Sequence, residues 1–169
     1  MTHFPMRGRM RPVPGGAWAA DDAVLTGEIH FGEDANVWFG CVIRGDDAPI
    51  TIGARTNVQD LTMVHADPGV PNVIGEECTI GHHCVLHGAR IEDRCLIGMG
   101  AVLLAGSVIG EGSIIGAGTV VKENFVVPPR SLVVGLPGRV IRQVTEEQTA
   151  DLARSAAGYV RAVREYLEE

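Results

Sequence analysis

The sequence predicts an all-β protein, a parallel β-helix followed by one C-terminal α-helix. Two observations carry this prediction: a large apolar residue recurs mostly every six positions, and a small residue usually stands four positions after it. An amphipathic helix repeats about every 3.6 residues and a strand every two, so neither explains a period of six. Six-residue sides with one large and one small residue pointing inward instead build the three faces of a prism, coil upon coil.

The repeat extends from Leu25 to Val121. Its sixteen apolar positions are Leu25, Phe31, Val37, Ile43, Ile52, Val58, Val64, Ile74, Ile80, Leu86, Ile91, Ile97, Leu103, Ile109, Ile115 and Val121. The small positions between them include all four cysteines, which we therefore expect in the core. Two longer steps predict loops at corners of the prism, around Asp46–Pro49 and Ala66–Pro71.

The repeat divides the chain into four parts. Residues 1–22 form an N-terminal extension and first strand, residues 23–127 the β-helix, and residues 128–144 a Pro-rich connector with the turn "GLPGR". Residues 145–169 form the C-terminal helix, which begins with a capping-box pattern of Thr145 and Gln148. Apolar residues at helical spacing predict that this helix packs against the β-helix or a neighbouring subunit.

Composition excludes several classes of partner. The net charge is −7, which argues against binding to nucleic acid or to an anionic membrane. No apolar run approaches the roughly 20 residues that span a bilayer, and the N-terminal segment lacks the apolar core of a secretory signal. We expect a cytoplasmic protein whose cysteines are thiols, although Cys78 and Cys95 stack on adjacent coils at a distance that permits a disulfide.

The stretch "TIGHHCVLHG" contains three histidines within six positions. Coils stack about 4.8 Å apart, so residues three sides apart become neighbours, and Arg44, His65 and His87 fall in one outward-facing column. His82 falls near a corner on a different side, in the column of Asp60. If three chains assembled about a threefold axis, the His82 corner of one would face His65 and His87 of the next. Three imidazoles with an open position are typical of a catalytic zinc site.

Three segments resemble the γ-class carbonic anhydrase-like proteins of the hexapeptide-repeat superfamily. They are "VIRGDDAPITIGARTNVQDLTMVH", "VIGEECTIGHHCVLHG" and "CLIGMGAVLLAGSVIGEGSIIGAGTVV". The resemblance covers roughly residues 20–167 and implies a left-handed β-helix, a homotrimer, and hydration of CO2 to bicarbonate by a metal-bound hydroxide. It also implies that His65, His82 and His87 bind the metal, with His82 supplied by the adjacent subunit, whereas His83 matches a variable position.

The resemblance implies further roles for polar residues near the histidines. Arg44 and Asp60 match an intersubunit salt bridge, and Asp46 belongs to the same "RGD" motif, where it either serves the interface or fixes its turn. Four residues match catalytic positions. They are Gln59, which contacts the metal-bound water, Asn57, which orients CO2, Tyr159, which approaches the metal, and Asp47, which stands where relatives carry a proton-shuttling glutamate.

The chain departs from the archetypal family members at the proton shuttle. Asp47 replaces a glutamate near the "RGD" motif, and the loop "HADPGVPNVIG" is short, with Asp67 as its only acidic residue. The metal is expected to be divalent: three imidazoles suit zinc best, with cobalt or ferrous iron as alternatives.

Two other functions fit the same fold. One is an acyltransferase or a metal-dependent thioesterase acting on acyl-CoA, since several relatives with this fold act on thioesters. The other is a catalytically weak trimeric scaffold that keeps the metal for stability. A fully metallated trimer that does not hydrate CO2 would favour thioester hydrolysis.

Overall fold

The computed structural model describes residues 8–167 and shows a parallel β-helix that ends in one α-helix. The first seven residues of the predicted N-terminal extension and the last two of the predicted helix lie outside the described residues. No helix in the described range is both long and apolar enough to cross a membrane.

The strands are short because each spans one side of the prism. In chain order they are β1 (Met10–Val13), β2 (Ala17–Ala20), β3 (Val24–Phe31), β4 (Asn36–Val37), β5 (Val42–Ile52), β6 (Asn57–Val58), β7 (Met63–His65), β8 (Asn72–Ile74), β9 (Thr79–Ile80), β10 (Val85–His87), β11 (Arg90–Ile91), β12 (Leu96–Ile97), β13 (Val102–Leu103), β14 (Val108–Ile109), β15 (Ile114–Ile115), β16 (Val120–Val121), β17 (Val126–Val127), β18 (Ser131–Gly135) and β19 (Gly138–Gln143). The helix α1 follows at Glu146–Leu167.

Parallel pairing of these strands makes three sides. The first side is the sheet β2-β4-β6-β9-β12-β15-β18, extended at its ends by the antiparallel strands β1 and β19. The second side stacks β7, β10, β13 and β16, and the third stacks β8, β11, β14 and β17. The long strands β3 and β5 pair along their length and contribute to both the second and the third side.

The core is a stack of aliphatic side chains, one from each side of each coil. From Ile43 on, the large apolar residues of the repeat are almost completely buried. Ile43, Val64, Leu86 and Leu103 lie in one register column. The small slots are filled by buried residues that include all four cysteines, each a free thiol. This agrees with the core position that the repeat predicts for them.

The β-helix extends beyond the predicted residues 23–127 at both ends. Val133 pairs with Ile115, and Ala19 pairs with Val37, so both ends add a side. The six-residue step does continue through Val127 to Val133, but the two prolines at 128–129, which form a corner, obscure it. The predicted connector therefore contains a hairpin of β18 and β19, and "GLPGR" forms its turn.

One of the two predicted corner loops is absent. The segment Asp46–Pro49 belongs to the continuous strand β5, and the extra residues are absorbed by a register shift opposite Gly27–Ile29. The sequence prediction was wrong because a longer step in the repeat is compatible with a bulge between strands as well as with a loop. The second predicted loop, around Ala66–Pro71, does separate β7 from β8.

The helix α1 packs on the first side. Thr145 and Gln148 form the predicted capping box, in which each backbone N–H donates to the side-chain oxygen of the other residue. Leu152, Ala156 and Val163 are buried. The helix contacts β4, β6 and β9, the strands that lead to the corner of His82.

Candidate metal centre

His65 and His87 stand side by side on the second side of the prism. They end the paired strands β7 and β10 in direct register, and their ring centroids are 5.5 Å apart. Arg44 is the register partner of His65 on β5, so the predicted column of Arg44, His65 and His87 is confirmed. Adjacent parallel strands carry equivalent side chains in parallel, which turns 22 residues of sequence separation into one coil of distance.

Carboxylates surround these two imidazoles. His65 Nε2 lies 3.1 Å from Asp47 Oδ2 and 3.3 Å from Asp46 Oδ1, and His87 Nε2 lies 3.3 Å from Asp67 Oδ1. In residues 8–167, Asp46, Asp47 and His65 form the one group of three or more His, Cys, Asp or Glu residues whose potential ligand atoms all lie within 4.8 Å of one another. The second side therefore presents nitrogen and oxygen donors together.

Arg44 organises the edge of this group. Its Nη1 donates to Asp46 Oδ2 at 2.6 Å, and its Nη2 lies 3.4 Å from His65 Nδ1. Partial desolvation raises the pKa of the Asp46 carboxyl, but its backbone hydrogen bond and the Arg44 guanidinium outweigh this effect, and the pKa lies below its ordinary value. Asp46 is thus held as an anion beside His65.

His82 lies at a corner of the first side, as its column predicts, and is not part of the group around His65. Its Nδ1 is 2.7 Å from Asp60 Oδ2, and its side chain is 43% exposed. His83, the next residue, is exposed and forms the corner turn with φ of 61°. Of the two adjacent histidines, His82 is the one that a carboxylate orients.

Asn57 on β6 and Gln59, which directly follows that strand, form a pair of buried side-chain amides. Gln59 Nε2 donates to Asn57 Oδ1 at 3.0 Å. Asn57 Nδ2 in turn donates to the Cys78 carbonyl at 3.2 Å and to Thr79 Oγ1 at 3.0 Å. The amide groups on this side are therefore held by the neighbouring coil.

An open cavity of about 400 Å³ lies between the first side and helix α1. Gln59, His82 and Tyr159 all line it, together with Met99 and Ser155. The Tyr159 ring packs edge-on against Trp38 with centroids 5.3 Å apart. Burial, and to a smaller extent the charge of Asp60, raises the pKa of the Tyr159 phenol. The structure thus brings three of the sequence-predicted site residues to one cavity.

The donor set of the chain fits a divalent metal. His65 and His87 offer two imidazoles from one face. His82 is paired with a carboxylate as metal-binding histidines commonly are: Asp60 accepts from its Nδ1–H, and the lone pair of its Nε2 is left to bind a metal. Within one described chain the three imidazoles do not converge, so a shared site requires a second copy.

Sequence reasoning missed two features of this region. Asp60 contacts His82, and Asp67 contacts His87, within the same chain. The contact of Asp60 could have been predicted, because Asp60 and His82 share a column of the repeat. Thr79 and Ser155 form a hydrogen bond that extends the amide network onto helix α1. The sequence did not indicate this contact, because 76 residues separate the two and no repeat relates the helix to the coils.

Comparisons with known proteins agree with this architecture. Residues 88–123 match the family model of the bacterial transferase hexapeptide with six repeats. A solved structure of a putative acetyltransferase from Bacillus cereus superposes with a TM-score of 0.88 at 41% identity, covering 89% of this chain and 88% of that one. These similarities support the left-handed form of the parallel β-helix.

Two curated relatives carry names that concern function. A protein of Methanocaldococcus jannaschii named probable carbonic anhydrase is 49% identical over 142 residues, 84% of this chain and 89% of the relative. The mitochondrial gamma carbonic anhydrase 1 of Arabidopsis thaliana is 36% identical over 149 residues, 85% of this chain. The aligned region spans about half, 54%, of that plant protein.

Proposed function

Because the chain belongs to the gamma carbonic anhydrase family of hexapeptide-repeat proteins, we propose that it hydrates CO2 reversibly to bicarbonate at a metal site shared between the subunits of a homotrimer. One observation carries this proposal: His65 and His87 are in direct register on one side of the prism, while the carboxylate-oriented His82 stands at a corner of another side. That division is what a site built from two copies requires.

The metal would be held by His65 and His87 of one subunit and His82 of the next, with zinc as the first choice and cobalt or ferrous iron as alternatives. Such a cation would supply the Lewis-acid chemistry that makes a nucleophile of water at neutral pH. Asp60 keeps the His82 imidazole in one tautomer and orientation, since its carboxylate engages Nδ1.

The proposed trimer interface is an apolar column beside the two histidines. It consists of the outward residues that precede the inward residue of each coil on the second side, namely Val24, Val42, Met63, Val85, Val102 and Val120. The equivalent column of the third side is interrupted by Arg90 and begins with His30 and Thr51. If the apolar column were buried against a second copy, the corner of that copy that carries His82 would lie next to His65 and His87.

Arg44 and Asp60 have contacts within one chain, to Asp46 and His82 respectively. Both side chains remain partly exposed, at 45% and 33%. In the proposed trimer Arg44 of one subunit reaches Asp60 of the next and links the two halves of the site. Asp46 then holds Arg44 in place from within its own chain.

Three residues that line or border the cavity determine, directly or through a neighbour, how the substrate is held. Gln59 donates through Nε2 to Asn57, which leaves its Oε1 to accept a hydrogen bond from the attacking water. Asn57 orients CO2 through its pairing with Gln59. Tyr159, packed against Trp38, closes the cavity on the helix side and limits the entry of bulk water.

Hydration of CO2 releases a proton, and Asp47 is the residue that we assign to carry it. Its Oδ2 lies 3.1 Å from His65 Nε2, and the carboxylate is 44% exposed. A carboxylate that contacts the site and also reaches solvent accepts the proton and passes it to buffer. The four buried thiols suit a reducing compartment, and we propose the cytoplasm.

A second candidate is action on a thioester. The cavity of about 400 Å³ is far larger than a three-atom substrate needs, and the Bacillus cereus structure of similar fold is named a putative acetyltransferase. A small acyl-CoA is therefore the alternative substrate class.

The test is stopped-flow CO2 hydration on protein reconstituted separately with zinc, cobalt or anaerobic ferrous iron, with metal content assayed on the same samples. Hydrolysis of acetyl-CoA is measured in parallel. Metal-dependent hydration without thioester cleavage supports the proposal. A fully metallated trimer that cleaves acetyl-CoA and leaves CO2 untouched would replace it with the second candidate.

A further inference from the structure

We propose that Thr79 and Ser155 are positioning residues that, together with the Cys78 carbonyl, fix the orientation of the Gln59 side-chain amide, and that helix α1 thereby stabilises the form in which Gln59 presents Oε1 to the cavity. The inference rests on the proposed function for its catalytic consequence. The orientation of the Gln59 amide itself is inferred from hydrogen bonds among the described residues, independently of that function.

A continuous chain of hydrogen bonds joins the helix to Gln59. Thr79 Oγ1 donates to Ser155 Oγ at 3.1 Å. Asn57 Nδ2 donates to Thr79 Oγ1 at 3.0 Å, and Gln59 Nε2 donates to Asn57 Oδ1 at 3.0 Å. Asn57, Gln59 and Thr79 are buried, at 0, 6 and 3% exposure, so an unmade hydrogen bond at any of them is unfavourable.

The direction of this chain follows from its two ends. The Cys78 carbonyl can only accept, so the Asn57 amide must turn its nitrogen toward Cys78, and its Oδ1 then faces Gln59. Ser155 adds a second constraint because it takes the hydrogen of the Thr79 hydroxyl. Thr79 Oγ1 is thereby left as an acceptor for Asn57 and favours the same orientation.

Without Ser155 the Thr79 hydroxyl is free to rotate and donate to Asn57 instead. Only the Cys78 carbonyl then opposes the flip of Asn57. A fraction of the molecules holds a flipped Asn57, which presents its nitrogen to Gln59 and reverses the Gln59 amide as well. The cavity would then receive the Nε2 donor rather than the Oε1 acceptor. A water molecule that must be oriented for attack needs the acceptor, so the flipped form is inactive.

The experiment is a double-mutant cycle of Thr79→Val and Ser155→Ala with two readouts. The first is kcat/KM for CO2 hydration in the zinc-loaded trimer. The second is hydrogen exchange of the Gln59 side-chain amide, measured by 15N NMR on the metal-free protein. Ser107→Ala and Thr119→Val are matched controls, because each removes a buried hydroxyl that has no hydrogen-bond partner among the described residues.

We expect Thr79→Val to lower kcat/KM about tenfold and Ser155→Ala about threefold, since misplacement of an orienting group lowers the rate by such factors. The double variant should lose no more than Thr79→Val alone, because both act through one chain. Gln59 amide exchange should accelerate in each, whereas Thr79→Ser and Ser155→Thr, which keep the hydroxyls, should behave as wild type.

Wild-type exchange and wild-type kcat/KM in both variants would overturn the inference. So would additive losses accompanied by equal losses in the two controls, because they would mark a merely structural role. If the wild-type trimer does not hydrate CO2, the proposed function is wrong, and the exchange measurement alone tests whether Thr79 and Ser155 protect the Gln59 amide.

Discussion

His82 Nδ1 and Asp60 Oδ2 lie 2.7 Å apart, on adjacent coils of the same corner. This contact orients the imidazole from within its own chain. We expect Asp60→Asn to weaken zinc affinity by about 10- to 100-fold, the range seen when a carboxylate that orients a metal-binding histidine is removed. Competition with a chromogenic chelator measures it. Asp151→Asn, which removes an exposed carboxylate on helix α1, is the control, and equal affinities in the two variants would contradict the assignment.

His65→Ala and His87→Ala should each abolish metal retention. Each removes one of the three proposed ligands, and the metal content measured by mass spectrometry should fall from about one ion per subunit to near zero. His83→Asn is the matched control, since asparagine tolerates the positive φ of this corner. Loss of metal in the control would show that corner geometry, rather than ligation, is being measured.

The apolar column of the second side gives a prediction about assembly. Val85→Lys places a charge in the middle of the proposed interface, and an unpaired buried charge is strongly unfavourable. Sedimentation should show a trimer for wild type and a monomer for this variant, which should also lose its metal. Val108→Lys, the same change on the third side of the prism, should leave the trimer intact.

Asp47→Asn should lower the CO2 hydration rate by roughly tenfold or more in weak buffer, because a carboxylate that carries a proton to solvent contributes on that scale. High concentrations of imidazole buffer should restore most of the rate. The metal content should not change. A loss that no buffer rescues would show that Asp47 acts on His65 or on the substrate rather than on the proton.

We expect the buried Cys41 thiol to make the folded protein less stable in alkali. Burial raises the pKa of its thiol from 9.0 to about 11. The unfolded chain then releases this proton at lower pH than the folded one, so the contribution is complete below pH 9 and is lost as pH rises toward 11. The slope is at most about 1.4 kcal/mol per pH unit for one thiol.

Urea unfolding between pH 8 and 11 measures this contribution. Cys41→Ala should show a shallower decline than wild type, because alanine fills the equivalent small slot at other coils. Ser107→Ala, a non-ionisable change in such a slot, should keep the wild-type slope. Parallel curves for all three proteins would mean that the Cys41 thiol is not the titrating group.

Much of the fold and part of the site could be predicted from the sequence. The six-residue spacing of large apolar residues from Leu25 to Val121 predicted the triangular β-helix, because each side of a coil places one such side chain in the core. The same register placed His87 beside His65 and His82 on another side. The Thr145 cap of the helix was also readable, because capping depends on residues three apart.

Other features were decided by the tertiary structure alone. Whether Asp46–Pro49 forms a loop or a bulged strand depends on the register of β3 against β5. The spacing of apolar residues along one strand does not specify its register against the neighbouring strand. The contact of Thr79 with Ser155 depends on where helix α1 docks. A periodic sequence determines contacts between coils because the same step recurs, whereas a helix that packs once across them has no repeat from which its partners can be read.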